Sequence, residues 1–142
     1  MAFALGYRNW ALEHPTDYQL IYGNPIPGYV APSELTTPTA RRSYMIFADI
    51  LNDALVAGKL QLQPEDFAIP ESVIEHFKTF RQLGLPDFPP VILDLSIGGW
   101  AHLHGAILLE LYGQLQYFIS DTEAFYKAKV INLLHEVQLT DD

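Results

Sequence analysis

Residues 98–113 read GGWAHLHGAILLELYG, with one tryptophan, two histidines, glycine at both ends and in the middle, and Glu110 as the one carboxylate. The length and the Ala/Leu-rich run favour a helix. Turning each residue by about 100° puts Trp100, His104, Ile107 and Leu111 on one side. Gly98, Ala101, Gly105, Leu109 and Tyr112 fall nearly opposite. A surface helix needs one apolar stripe, so a helix apolar on two sides must satisfy two sets of neighbours. One face is expected to close the domain's own core. The other, with small residues at Gly98, Ala101 and Gly105, is expected to let the backbone of a second subunit come close.

Outward from this stretch the chain reads as helices separated by proline and glycine. Toward the N-terminus, Pro70 opens a helix with Val73, Ile74, Phe77 and Phe80 on its buried side, closed by Gly84, and Pro86, Pro89 and Pro90 make a turn into the central helix. Before that, Thr36-Thr37-Pro38 supplies a hydroxyl cap and a proline at the first helical position. The helix that follows carries Ala40, Tyr44, Phe47, Ala48, Leu51 and Leu55 on one face and ends at Gly58-Lys59. Pro64-Glu65-Asp66 offers further helix-start chemistry. At the beginning, Phe3, Tyr7, Trp10 and Ala11 recur at helical spacing as far as His14, where Pro15 disfavours continuation. A second short helix carries Tyr18, Ile21 and Tyr22, ends at Gly23-Asn24-Pro25, and leads into an extended loop through Ile26, Tyr29 and Pro32. Toward the C-terminus, the central helix is expected to run to about Phe118. A capping box of Ser120 and Glu123 then starts a last helix with the stripe Tyr126, Val130, Leu133, Leu134 and Val137. Two long helices joined by so short a turn lie antiparallel. With no period-2 alternation and no internal repeat, the expected fold is all-α, with six to seven helices in a single domain of residues 1–142.

Composition narrows the function classes. The chain has 142 residues, 49% hydrophobic and 13% aromatic, which suits a packed core rather than disorder. Its net charge of -9 and its eight Lys and Arg residues, none clustered beyond Arg41-Arg42, leave no basic face to displace counterions from phosphate. It contains no cysteine, which removes disulfides, thiolate metal sites and cysteine nucleophiles. The N-terminus has neither the basic region nor the apolar core of a signal peptide, and no uninterrupted run reaches the roughly 18 apolar residues of a membrane span. The expectation is a soluble cytoplasmic protein that does not bind a membrane.

The run Trp100-Ala101-His102-Leu103-His104-Gly105, followed by Leu108-Leu109-Glu110-Leu111-Tyr112-Gly113, resembles the tryptophan–histidine–glycine signature of one class of TetR-family C-terminal domains. The segments Tyr7-Arg8-Asn9-Trp10-Ala11-Leu12-Glu13-His14-Pro15, Tyr18-Gln19-Leu20-Ile21-Tyr22-Gly23 and Pro25-Ile26-Pro27-Gly28-Tyr29 are similar to the same class. The likeness spans nearly the whole chain; from Leu60 to Pro90 it extends only to the helix-loop-helix pattern. The resemblance implies a homodimer that pairs through its last two long helices as a four-helix bundle. It also implies a pocket for a small effector and DNA contact through an N-terminal helix-turn-helix domain. These 142 residues do not include that domain. Ala2-Phe3-Ala4-Leu5 reads as the middle of a helix without a cap, so a piece of a longer parent is expected rather than a free-standing relative.

Under that reading Trp10, Tyr18, Tyr22, Tyr44, Phe47, Leu51, Phe77, Trp100 and His104 are the expected effector-lining residues. Gly98, Ala101, Gly105, Leu109 and Tyr112, with Tyr126, Val130, Leu133, Leu134 and Val137, are the expected dimer contacts. The plain alternative for the aromatic residues is ordinary core, and for His104 a satisfied core histidine. His102 and His104 are two apart on a helix and point in different directions, and neither has a ligand four residues away, so no metal site is expected. Ser43, Ser72, Ser96 and Ser120 join no base and orienting group, and there is no phosphate-binding glycine loop; neither an enzyme nor a cofactor is expected. The lining predicts a mainly apolar or aromatic effector with one or two hydrogen-bonding groups. A helical scaffolding domain with a filled core and no effector is the alternative function.

Overall fold

The computed structural model describes residues 1–24, 27–28, 30, 33–62, 67–83 and 85–136, with the backbone alone at 33–43, 83 and 136. Six α-helices follow one another: α1 (Ala2–Glu13), α2 (Pro15–Tyr22), α3 (Ser33–Val56), α4 (Glu71–Lys78), α5 (Pro90–Leu111) and α6 (Thr122–Glu136). Short 3-10 turns occupy Thr79–Leu83 and Leu115–Tyr117. No strand occurs among the described residues, and the all-α expectation holds. Gly84, the Pro64-Glu65-Asp66 start, the loop residues Pro25, Ile26, Tyr29 and Pro32, and Val137 lie outside the described residues.

Most boundaries fall where the punctuation puts them. His14 separates α1 from α2 with φ -127° because Pro15 bars it from helical geometry. Three boundaries differ. The third helix begins at Ser33, so Pro38 sits in its second turn and omits one N–H from the ladder instead of opening it. The central helix stops at Leu111, short of Phe118: Gly113 takes φ +69° and the Gln114 N–H donates back to the Leu109 carbonyl at 2.9 Å, which closes the helix by the left-handed route glycine allows. The cap of α6 is Asp121, whose Oδ1 accepts the Ala124 N–H at 2.9 Å. A carboxylate one residue beyond Ser120 brings negative charge to the helix start as well as an acceptor. Glu123 pairs with Lys127 one turn on and takes no part in a capping box.

The helices form two units. In one, residues Thr39–Trp100 with the described residues from Leu134 on, α3 contributes Met45, Ala48 and Leu51 to a core with Leu60 and Ile92, and Phe47, Leu55, Phe88 and Leu95 pack against it. Gly99 is the close approach here, since a Cβ on it would lie 3.0 Å from the Phe47 ring. Tyr44 donates its hydroxyl to the Leu93 carbonyl at 2.8 Å, and burial raises its pKa. The other unit, Met1–Pro38 with Ala101–Leu133, is built from α1, α2, the second half of α5 and most of α6. Its buried residues include Ala4, Arg8, Ala11, Tyr18, Leu103, Ile107, Leu115, Tyr126 and Val130.

At 22 residues, α5 is long and apolar enough to cross a membrane by length and composition, although no uninterrupted apolar run reaches that length. It serves as a core helix, with buried residues Ile92, Ser96, Gly99, Leu103, Ala106 and Glu110 at spacings of three and four. That stripe is centred to one side of the Trp100–His104–Leu111 face and passes through two residues, Gly99 and Glu110, that the hydrophobic pattern alone would leave out.

Inside the first-helix unit lies a buried ion pair. Arg8 Nε donates to Glu110 Oε2 at 2.8 Å and Nη2 to Oε1 at 2.6 Å, with both side chains only 6% exposed. Thr122 Oγ1 donates to the same Oε1 at 2.6 Å, and the guanidinium also stands over the Tyr126 ring. Replacing Arg8 by Met should cost about 3–5 kcal/mol in urea unfolding, because Glu110 is left charged and buried. The double change Arg8→Met with Glu110→Leu should recover most of that loss; a double variant no more stable than the single one would contradict this account.

Candidate functional site

The first-helix unit also gathers four aromatic side chains and a histidine at one place. Tyr7 and Trp10 from α1, Tyr18 and Tyr22 from α2, and His104 from α5 form a continuous set of rings. Tyr18 is the centre: its ring lies 5.8 Å from Tyr7, 6.1 Å from Trp10, 5.1 Å from Tyr22 and 5.4 Å from His104, onto which it stacks at 30°. Tyr18 is fully buried, and the four around it are half-buried. The short α2 makes this possible. Pro15 restarts the helix immediately after α1, so Tyr18 and Tyr22, one turn apart, face back toward Tyr7 and Trp10.

A polar thread runs through the rings. The Tyr7 hydroxyl donates to the Tyr18 oxygen at 3.2 Å, and the Tyr18 hydroxyl lies 2.5 Å from His104 Nδ1. Tyr7 Oη is itself 3.1 Å from the same nitrogen. Burial pushes the Tyr18 phenol far above its ordinary range, with the Tyr7 hydrogen bond adding to the shift, so Tyr18 is a proton donor at any ordinary pH. Burial lowers the His104 pKa, which keeps the imidazole neutral at pH 7. These states fit one assignment, in which Nδ1 is the acceptor and the ring proton sits on Nε2. The cluster offers neutral hydrogen-bonding groups in aromatic walls and no formal charge.

The expected lining residues thus divide. Trp10, Tyr18, Tyr22 and His104 come together, whereas Tyr44, Phe47, Leu51, Phe77 and Trp100 belong to the other unit. There, Leu51 is core, Tyr44 and Phe47 pack against it, and the buried Phe77 meets Phe80 at 5.7 Å between centroids. Tyr7 was missed as a site residue although it sits on the expected α1 stripe; its spacing of three from Trp10 was the available signal. Arg8 was also missed, its charge hiding a buried position. His102 is exposed and His104 half-buried, and no group of three or more His, Cys, Asp or Glu among the described residues is placed to hold a metal.

Of the expected contact residues on α5, Gly98, Ala101 and Leu109 are exposed, as is Tyr112 just past its end, and Gly105 is half-buried. A Cβ added at Gly98 or Gly105 meets nothing within 4 Å, unlike Gly99. On α6, Tyr126 is 1% and Val130 4% exposed, and the Tyr126 hydroxyl donates to the Ala4 carbonyl at 3.1 Å. Those two side chains are spent inside the unit. Leu133 and Leu134 are half-buried, and Ile131 is more open than either.

The depressed His104 pKa has a stability consequence. An unfolded histidine takes up a proton near its ordinary value of 6.5, while the folded one resists until lower pH. Stability contributed by neutral His104 is therefore complete above about pH 6.5 and declines as pH falls from there toward the lowered folded value. His104→Gln keeps an acceptor for Tyr18 and removes the titration. Denaturation series from pH 7.5 to 5 should show a steeper loss for the parent than for the variant; parallel profiles would count against the assignment.

Comparison with known proteins agrees with this architecture. The sequence profile of the family described as "Tetracyclin repressor-like, C-terminal domain" matches residues 1–133. The chain is 34% identical over 115 residues to HTH-type transcriptional regulator Mb1846 of Mycobacterium bovis and to HTH-type transcriptional regulators MT1864 and Rv1816 of Mycobacterium tuberculosis. Each alignment covers 80% of this chain and 48% of the relative, so the chain spans about half the length of these proteins. With six helices, no described strand and a profile match over nearly its whole length, the chain belongs to the tetracycline repressor-like (TetR) C-terminal domain family.

Proposed function

We propose that the chain is the effector-sensing and dimerisation domain of a cytoplasmic TetR-like transcriptional repressor, its two helical units acting as one domain. The observation that carries the reading is the Tyr7–Tyr18–His104 thread. Three neutral polar groups are drawn into an aromatic cluster whose outer rings remain half-exposed. Such a place suits a small, mainly apolar or aromatic effector carrying one or two hydrogen-bonding groups. The groups of the thread are themselves neutral, and the net charge of -9 disfavours an anionic effector. An effector that prefers one arrangement of α1 and α2 against α5 shifts the population toward it and so changes the geometry of the dimer. Reading DNA falls to another part of such a regulator, since this chain has no basic face for phosphate.

We place the second copy on the outward face of α5, with Ile131 of α6 as a further exposed apolar candidate. Leu109 is 44% and Tyr112 47% exposed there, Ile131 is 37% exposed, and Gly98, Ala101 and Gly105 leave room for a close backbone. A scaffolding domain with no effector is the second reading, favoured by the complete burial of Tyr18 among rings already in contact.

Two measurements test these proposals. A panel of uncharged aromatic and apolar compounds should contain some that raise the melting temperature; at a hundredfold excess over Kd the stabilisation is about 2.7 kcal/mol, and it should shrink in His104→Ala. Absence of any shift across the panel would favour the filled scaffold. Sedimentation at tens of micromolar should give a dimer, and Gly105→Trp should weaken it by roughly tenfold or more, about 1.4 kcal/mol. A monomeric parent, or a Gly105→Trp dimer as tight as the parent, would move or remove the proposed interface.

A further inference from the structure

We infer that the Arg8–Glu110–Thr122 bridge carries changes at the aromatic cluster to the first turn of α6. The inference rests on the reading of that cluster as the effector site, and it assigns the site its route outward. Tyr7 and Arg8 are consecutive residues of one helix, so they move together. Tyr7 reaches Tyr18 and His104, while Arg8 grips Glu110, six residues beyond His104 on α5. Helix α1 is thus fastened to α5 at two points, one inside the cluster and one at the ion pair.

The second point is shared. Glu110 Oε1 accepts from Arg8 Nη2 and from Thr122 Oγ1, both at 2.6 Å, while Oε2 accepts from Arg8 Nε. The backbone carbonyl of Glu110 is held separately by Gln116 Nε2 at 3.1 Å, which ties the α5–α6 connection to the end of α5. When α1 shifts to admit a ligand beside Tyr7, Arg8 shifts with it. Glu110 then has two options: to stay with Thr122 and lose its buried cation, or to follow the guanidinium and release the Thr122 hydroxyl. Stranding a buried carboxylate is the more costly, so the carboxylate follows. Thr122 is therefore bonded or released, two discrete arrangements at the start of α6, which is the kind of element that transmits a bias between sites. Thr122 lies beside the Asp121 cap, and the Ala124 and Phe125 amides, donating to Asp121 Oδ1 and O at 2.9 and 3.1 Å, report on that turn.

The test needs no effector. Tyr7→Phe keeps the ring and removes the hydroxyl that donates to Tyr18 and lies 3.1 Å from His104 Nδ1. In the intact chain, hydrogen exchange at the Ala124 and Phe125 amides should accelerate by roughly threefold or more on Tyr7→Phe, after normalisation to the amide of Ile107, fully buried within α5 in the same unit, as a monitor of that unit's opening. In a Thr122→Val background the same Tyr7→Phe change should leave those amides unmoved, and Thr122→Ser should restore the response. An equal acceleration with Val or Thr at 122, or none in either, would overturn the bridge. If the compound panel gives no stabilisation while the exchange response depends on Thr122 as stated, the effector reading fails and the coupling stands.

Discussion

A guanidinium and a carboxylate shut away from water, Arg8 against Glu110, set the terms for the first-helix unit. Taking such ions from water costs several kcal/mol each, and the cost is offset only when the geometry is good and the remaining polar atoms are satisfied. Here the Arg8–Glu110 contact is a two-pronged fork, Thr122 takes a further lone pair, and the Tyr126 ring lies under the cation. No buried side-chain nitrogen or oxygen among the described residues is left without a partner. Apolar helix faces tolerate sliding by part of a turn, but a bidentate fork does not. The pair therefore fixes the register of α1 on α5 and brings the start of α6 to the same carboxylate.

That register has a chemical result one residue away. With Arg8 committed to Glu110, Tyr7 is aimed at His104, a turn and a half earlier on α5, and α2 lays Tyr18 and Tyr22 across the gap. The cluster stays neutral because burial penalises charge on both participants, raising the phenol of Tyr18 and lowering the imidazole of His104. Charge and neutrality are thus segregated within one unit: the ions meet each other at Glu110, and the hydroxyls and imidazole meet the rings.

The sequence was legible where a residue's chemistry acts locally. Pro15, Gly58 and Pro90 punctuate helices through backbone constraints that need no tertiary context, and the helices begin or end close to them; Gly113 acts in the same way but was read through, because the apolar pattern continues past it to Phe118. Pro38 misled because a proline tolerated in the second turn looks, in sequence, like one opening the first. Ser120 misled because Asp121 is an equally good cap one residue later. The aromatic cluster was read in part, since Trp10, Tyr18, Tyr22 and His104 lie on helix faces that periodicity picks out. Which of the two units each apolar face would join is a long-range fact; Tyr44, Phe47 and Phe77 carry no local mark to separate them from Trp10 or Tyr18. Arg8 and Glu110 were hidden for a related reason. Their charge reads as solvated surface until the partner, 102 residues away, is known.

The glycines of α5 sharpen the same lesson. Gly98 and Gly99 are adjacent and identical in sequence, yet Gly99 lies against the Phe47 ring and Gly98 faces open space. A turn of about 100° separates the chain's own packing from its outside. The buried stripe runs through Ser96, Gly99, Leu103, Ala106 and Glu110, so the face through Ala101, Leu109 and Tyr112 is the one that this chain's own core does not use. In Leu109 and Tyr112 it exposes more apolar surface than an ordinary solvated helix face needs. The inner side buries Ile92, Leu93, Leu103 and Ile107 and still finds room for a glycine, a serine and a glutamate, while leucine and tyrosine stay outside. The inner glycine and glutamate are accounted for by the Phe47 contact and the Arg8 fork. The outer leucine and tyrosine are what the proposed second copy has to explain, and for that reason Gly105, central to that face and unobstructed within the chain, is the residue on which the dimer proposal turns.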